Sequence, residues 1–180
     1  MKGMPMLRDT PPIERPRRRT ATAAAHAYTP ALSIDALVPV PDHDIGDAPS
    51  ETGVAAMRKA FAPSGGLVRA DDLVQRMRER KRGDYVALAR MIARGEVCVC
   101  EWQCILWLPM FQFDPLDLSV RQSARMAIDE LGNEFKHWAL TAWFARPNAW
   151  LADRRPVDVL QRNSLAVLEA ACADRYIAAR

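Results

Sequence analysis

The stretch Phe135 to Leu160, FKHWALTAWFARPNAWLADRRPVDVL, constrains the fold more than any other part of the chain. Phe135, Trp138, Ala139, Ala142 and Trp143 recur at intervals of three and four, the spacing that puts side chains on one face of a helix. Leu140 and Phe144 widen that stripe until little of the circumference is left for water, so the helix packs between other helices rather than on them. Pro147 ends it, because proline has no amide hydrogen to continue the ladder and drives Arg146 out of helical geometry. Pro156 then suits the first turn of a further helix, begun by Val157, Val159 and Leu160. A helix this apolar needs partners on several sides, and the chain is therefore expected to be mainly α.

Composition supports a core of that kind: of 180 residues, 49% are hydrophobic and 26% charged, enough for one domain or two small ones. No run approaches the roughly eighteen apolar residues of a membrane span. The start of the chain has no apolar segment of signal-peptide length, and only small residues follow Arg17, Arg18 and Arg19, so export is not expected. Four cysteines without a spaced framework fit reduced thiols in a cytoplasm.

Residues 1–52 hold eight of the thirteen prolines and are expected to be a disordered arm, since such a segment buries too little surface to offset its ordering entropy. Basic residues outnumber acids over its first thirty positions. That charge suits contact with nucleic acid; a solvated tail is the plainer reading.

Residues 53–114 read as a second region. GVAAMRKAF is a short helix from Gly53, broken at Pro63 and the Gly65, Gly66 pair. Arg69 to Arg82 is a second helix with Asp71 and Asp72 in its first turn, cations in its last and Gly83 as its stop. Asp84 caps a third, with Leu88, Ala89 and Ile92 inward. After Gly95 the pattern alternates, with Val97 and Val99 on one face and Cys98 and Cys100 on the other. A reversal around Trp102 to Cys104 and a return from Ile105 to Phe113 make a two-stranded hairpin. Two helices followed by such a wing resemble the excisionase-like and MerR-like DNA binders, whose hairpin is similarly entered from a segment like ARMIARGEV and left through P-x-F-Q. Arg76, Arg78, Arg80, Lys81 and Arg82, with Arg90 and Arg94 one helix later, are the candidate phosphate contacts, against a solvated basic face as the plain alternative.

Residues 115–180 read as a helical bundle. Ser119 pairs with Gln122 in a capping box, and the helix that follows buries Val120, Ala124, Ala127, Ile128 and Leu131. Asn163 or Ser164 caps the final helix, with Leu165, Leu168, Cys172 and Tyr176 on one side and Val167 and Ala171 beside them.

The segment WFARPNAWLADRRPVDVL, residues 143–160, resembles the core of the Xre/MbcA/ParS toxin-binding domain family: a tryptophan-containing helix, a Pro-Asn pair, a leucine, then Arg-Pro opening a helix that ends in leucine. Less specific similarity extends over Leu118 to Ala179, and LPMFQFD, residues 108–114, resembles what precedes the domain in longer members. The family is one of bacterial antitoxins, many paired with NAD-consuming toxins of the RES fold. The resemblance implies an antitoxin that inhibits a cognate toxin sterically, with the final helix and the basic end, Arg175 to Arg180, over the toxin's substrate pocket. It also implies a complex able to bind operator DNA and repress its own operon. A homodimer within the hetero-oligomer would match a palindromic operator.

Partner contacts are expected among Trp143, Pro147, Asn148, Trp150, Leu151, Arg154, Arg155 and Pro156, together with Arg175 and Arg180, since aromatic and arginine side chains anchor interfaces. The plain alternative makes the tryptophans core and the Pro-Asn pair a well-formed turn. The rival function is a stand-alone transcriptional regulator or adaptor with no toxin.

Catalysis finds little to work with. Cys98, Cys100, Cys104 and His137 lack the C-x-x-C knuckles of a zinc site and read as small thiols on a hairpin. His26 and His43 lie in the arm, and His137 lies on the core helix. Neighbouring carboxylates, Asp71 with Asp72 and Asp129 with Glu130, point to different faces of their helices. No phosphate-binding glycine loop is present. Neither an enzyme, a metal nor a cofactor is expected.

Overall fold

The computed structural model describes residues 48–180, which fall within one compact unit. The expected arm lies outside the described residues, with Arg17 to Arg19, His26 and His43, apart from its last few positions. In chain order the elements are α1 (Glu51–Phe61), β1 (Leu67–Arg69), α2 (Ala70–Glu79), α3 (Tyr85–Ala93), β2 (Cys100–Trp102) and β3 (Ile105–Pro109). Then follow α4 (Gln122–Leu131), α5 (His137–Ala145), α6 (Pro156–Val159) and α7 (Ser164–Ala178). The described chain is mainly helical, with one small antiparallel sheet in the order β1-β3-β2.

α1 starts two residues earlier than expected because Ser50 caps it: the Ser50 Oγ accepts from the Gly53 amide at 3.0 Å. Gly53 is packed against α5, where an added Cβ would stand 3.0 Å from the Trp138 ring. β1 was not foreseen. Leu67 to Arg69 pairs with β3, Val68 opposite Leu108, and α2 therefore begins at Ala70. Three residues are too few for an alternating pattern to declare itself, and their partner lies beyond two helices.

The hairpin turns on Gln103 and Cys104, both left-handed with φ of 52° and 59°, a two-residue turn whose twist matches the flanking strands. The ladder begins only at Cys100, yet the alternation upstream of it is kept. Val97 and Val99 enter one core, with Leu73, Val74, Met77, Leu88, Leu108 and Phe113. Cys98 and Cys100 enter the other, built by α1 and α4 to α7. α1 thus packs chiefly with the C-terminal helices, its buried residues belonging to their core.

Between the two cores sits Gln112, fully buried. Its Oε1 accepts from the Cys98 amide at 2.8 Å, and its Nε2 donates to the Cys98 and Pro109 carbonyls at 3.0 Å each. The side chain supplies the pairing that the backbone lacks there.

Two helices differ from expectation. α4 has no capping box: Arg121 occupies its N-cap without a side-chain bond. Val120 forms a bridge with Phe113 and stays half-buried, and the Ser119 amide donates to Asp117, so extended backbone runs on until Gln122. α7 turns the opposite side inward. Val167, Ala170 and Ala171 are buried, while Leu165 and Tyr176 are 63% and 59% exposed. α4 and α7 pack closely through small side chains, a contact that a reading weighted toward large residues misplaces.

α5 matches its pattern. Every residue from Leu140 to Ala145 is buried, and the Phe144 ring lies 4.8 Å from Phe111 and meets Trp143 edge-on at 5.0 Å. Phe135 lies before the helix and is half-buried. Arg146 is extended ahead of Pro147, and Pro156 opens α6, as proline chemistry requires.

Candidate protein-binding site

Where α5 stops at Pro147, the chain makes a short 3-10 turn over Ala149–Leu151. Asn148 caps that turn, its Oδ1 accepting from the Trp150 amide at 2.9 Å. The same side chain faces α7, where its Nδ2 donates to Asp174 Oδ2 at 2.7 Å. Two indoles meet this carboxylate as well: Trp143 Nε1 donates to Oδ2 at 2.8 Å and Trp150 Nε1 to Oδ1 at 2.9 Å. One acid on the last helix therefore staples the turn and orients both tryptophans.

Asp174 was missed from the sequence because nothing in the spacing of α7 marks it. The available signal was on the other side of the contact: residues 143–150 carry four side-chain donors, Trp143, Arg146, Asn148 and Trp150, and no carboxylate lies among them.

The turn divides the expected partner residues into two groups. Trp143, Asn148, Leu151 and Pro156 are buried and shape the module from within. Trp150, at 60% exposure, and Arg154 face outward, while Pro147 and Arg155 are half-buried at the edge. Arg154 Nε donates to the Leu151 carbonyl at 3.1 Å, and Arg155 pairs with Asp158 at 2.6 Å. Left-handed Ala152 and Asp153, with φ of 54° and 56°, carry the chain back so that Asn148 bridges Arg154.

Arg175 pairs with Glu130 of α4 at 2.6 Å, and this bond holds the Glu130 carboxyl below its ordinary range. The neighbouring Cys172 thiol is pushed up, first by burial and then by Glu130. Arg180 lies over the Tyr176 ring, 4.5 Å from its centre.

The basic residues of the first region do not form one row. Arg78 stacks on Tyr85 at 5.3 Å, and the Tyr85 hydroxyl is raised by its 2.5 Å hydrogen bond to Asp71. Arg82 pairs with Asp117 at 2.6 Å; Ser119 and then Arg82 hold that carboxyl low. Arg80 donates to the Pro115 and Leu116 carbonyls at 2.8 and 3.1 Å. Lys81 is exposed at a left-handed turn, Arg90 is exposed on α3, and Arg94 lies 3.9 Å from Glu96. Arg76 faces a cavity beside α2.

His137 opens α5 exposed, with φ of 42°, and Cys104 is exposed at the hairpin turn. Burial pushes the Cys100 thiol up to about 11 and that of Cys98 higher still. Among the described residues no group of three or more His, Cys, Asp or Glu is placed to hold a metal ion, and no helix is long and apolar enough to cross a membrane. No family model, curated protein or solved structure matches the chain.

Proposed function

We propose that this chain is an antitoxin that grips a cognate toxin, in the first instance an NAD-consuming enzyme of the RES fold, through the surface around Trp150 and blocks it sterically. The observation that carries the reading is Trp150 itself. A tryptophan that is 60% exposed while its indole N–H is held by Asp174 is ordered before any partner arrives, so little side-chain entropy is lost on docking. Arg154 beside it supplies the other side-chain type that anchors interfaces. The likeness of residues 143–160 to the toxin-binding family supplies the identity of the partner.

The test is a search of the neighbouring genes for a RES-type protein and co-purification with the product of any such gene. Trp150→Ala with Arg154→Ala is expected to weaken the complex by about thirtyfold or more, with the melting temperature nearly unchanged. Undiminished affinity refutes the reading, and the lack of any such neighbouring gene favours the stand-alone regulator instead.

Contact with operator DNA is a second reading, favoured by the order of α2, a short turn, α3 and the β2–β3 hairpin, the order of a winged helix-turn-helix. Arg90 and Arg94 on the outer side of α3, with Arg78, are its phosphate contacts. Affinity for operator DNA would then fall steeply with salt, and a flat response removes this reading.

A further inference from the structure

Arg76 on the last turn of α2 and Arg80, the residue that caps its end, stand four residues apart and line one side of it. That side overlooks a cavity of about 420 Å³ bounded by the turn after α1, the 110–121 segment and Gln161, two residues past the end of α6. A third arginine, Arg121 at the start of α4, lines the same cavity, with Ser64 and Gln161 as neutral hydrogen-bonding groups. The rest of the wall is apolar, Met110 and Leu118 included, and no carboxylate lines it.

The way these arginines are held sets the chemistry. Arg80 is fixed by the Pro115 and Leu116 carbonyls, and Arg121 Nε by the Phe113 carbonyl at 3.0 Å. Carbonyls orient a guanidinium without cancelling its charge. Two acids offset part of this charge: Asp114 forms a long ion pair with Arg121 at 4.0 Å, beyond hydrogen-bond reach, and Asp117, hydrogen-bonded by Arg82, also acts on Arg80. Among the described residues Arg76 has neither a hydrogen bond nor an ion pair through its guanidinium. Three cations around one concavity repel each other, and a bound anion relieves that repulsion.

A carboxylate is satisfied by a single guanidinium fork, whereas a phosphate offers oxygens to several at once. The cavity is also larger than an inorganic ion needs and falls in the size range of small-molecule sites. We propose that it binds a small phosphomonoester, with the phosphate among Arg76, Arg80 and Arg121 and the organic part against the apolar wall. The assignment is independent of the antitoxin reading and requires no toxin.

The test is calorimetric titration of the full chain, at constant ionic strength, with inorganic phosphate, ribose 5-phosphate, adenosine monophosphate and a duplex oligonucleotide. Saturable one-to-one binding is expected, with at least one of the two organic phosphates about tenfold tighter than inorganic phosphate. Tightening by the sugar phosphate alone places the sugar on the wall, and further tightening by the nucleotide places the base there. Arg76→Gln is expected to weaken binding about tenfold, the loss of one charge-assisted contact. Lys59→Gln, the same charge change on the exposed face of α1, is expected to stay within twofold. Should Arg76→Gln fold poorly, Arg76→Lys keeps the charge without the fork and is expected to fall between the two. The proposal is overturned by affinity unchanged in both Arg76 variants, by equal losses in Arg76→Gln and Lys59→Gln, by the absence of saturable binding, or by binding of a duplex oligonucleotide alone.

Discussion

The two cores are built on different terms. The one formed by α1 and α4 to α7 contains Phe61, Phe111, Trp138, Trp143 and Phe144, with α5 buried on nearly every side. The other contains Phe113 as its one aromatic among the described residues, and α3 contributes only Leu88 in full. An embedded helix is held by neighbours all round it, whereas α3 is held along one edge. Burial free energy therefore concentrates around α5, and opening of the chain is expected to begin at α3. The module that presents Trp150 stands on the firmer core; the basic helices stand on the weaker one.

Substitutions of equal kind should expose that difference. Phe144→Ala removes a ring packed between Phe111 and Trp143 and is expected to cost about 4 kcal/mol in denaturant unfolding. Gln112→Leu comes next. It orphans the Cys98 amide and two carbonyls between the cores, at a cost of about 3 kcal/mol. Leu88→Ala is expected to cost only about 2 kcal/mol, because the site can collapse toward solvent. Hydrogen exchange should be fastest in α3 and slowest in α5, and a Leu88 loss equal to that of Phe144 would abolish the asymmetry.

How much of this was legible in the sequence follows from which forces act locally. α5, its stop at Pro147, the restart at Pro156, the Asp84 cap of α3 and the hairpin reversal were all readable, because proline geometry, capping and the helical and strand periods work within a few residues. β1, Gln112 and Asp174 were not, since each is defined by a partner distant in the chain. Which apolar side of α7 turns inward was not readable for a related reason: it is set by what α4 can accommodate, and Val167, Ala170 and Ala171 fit against the alanines of α4. In the candidate site the residue types were visible, but their division into buried and outward groups depended on a carboxylate that no local rule selects.

Thiol chemistry tests the same division at lower energy. Cys98 and Cys100 are buried in the firmer core and their thiols are raised by that burial, the latter to about 11, so almost no thiolate is present near neutral pH. Cys104 and Cys172 are exposed. In the native protein at about pH 8 a disulfide reagent should titrate Cys104 quickly, Cys172 more slowly because burial and Glu130 raise its thiol, and the other two only on unfolding. Fast labelling of all four would mean that this core opens as readily as its neighbour.

The smallest effect belongs to the Glu130–Arg175 pair, which closes the outer edge between α4 and α7. The hydrogen bond from Arg175 is the main reason the Glu130 carboxyl lies below its ordinary 4.5. A group lowered on folding contributes stability above its unfolded value and loses it as pH falls through the folded one. The melting temperature should therefore drop more steeply below about pH 4.5 in the natural protein than in Glu130→Gln. Both side chains are partly exposed, 43% for Arg175 and 26% for Glu130, so solvent screening limits the gain at neutral pH to about 0.5 kcal/mol. Exchange in α2 and α3 should not respond, since the pair lies against the other core. Identical acid profiles for the two proteins would mean that packing of small side chains alone closes this edge, with the ion pair no more than a solvated contact upon it.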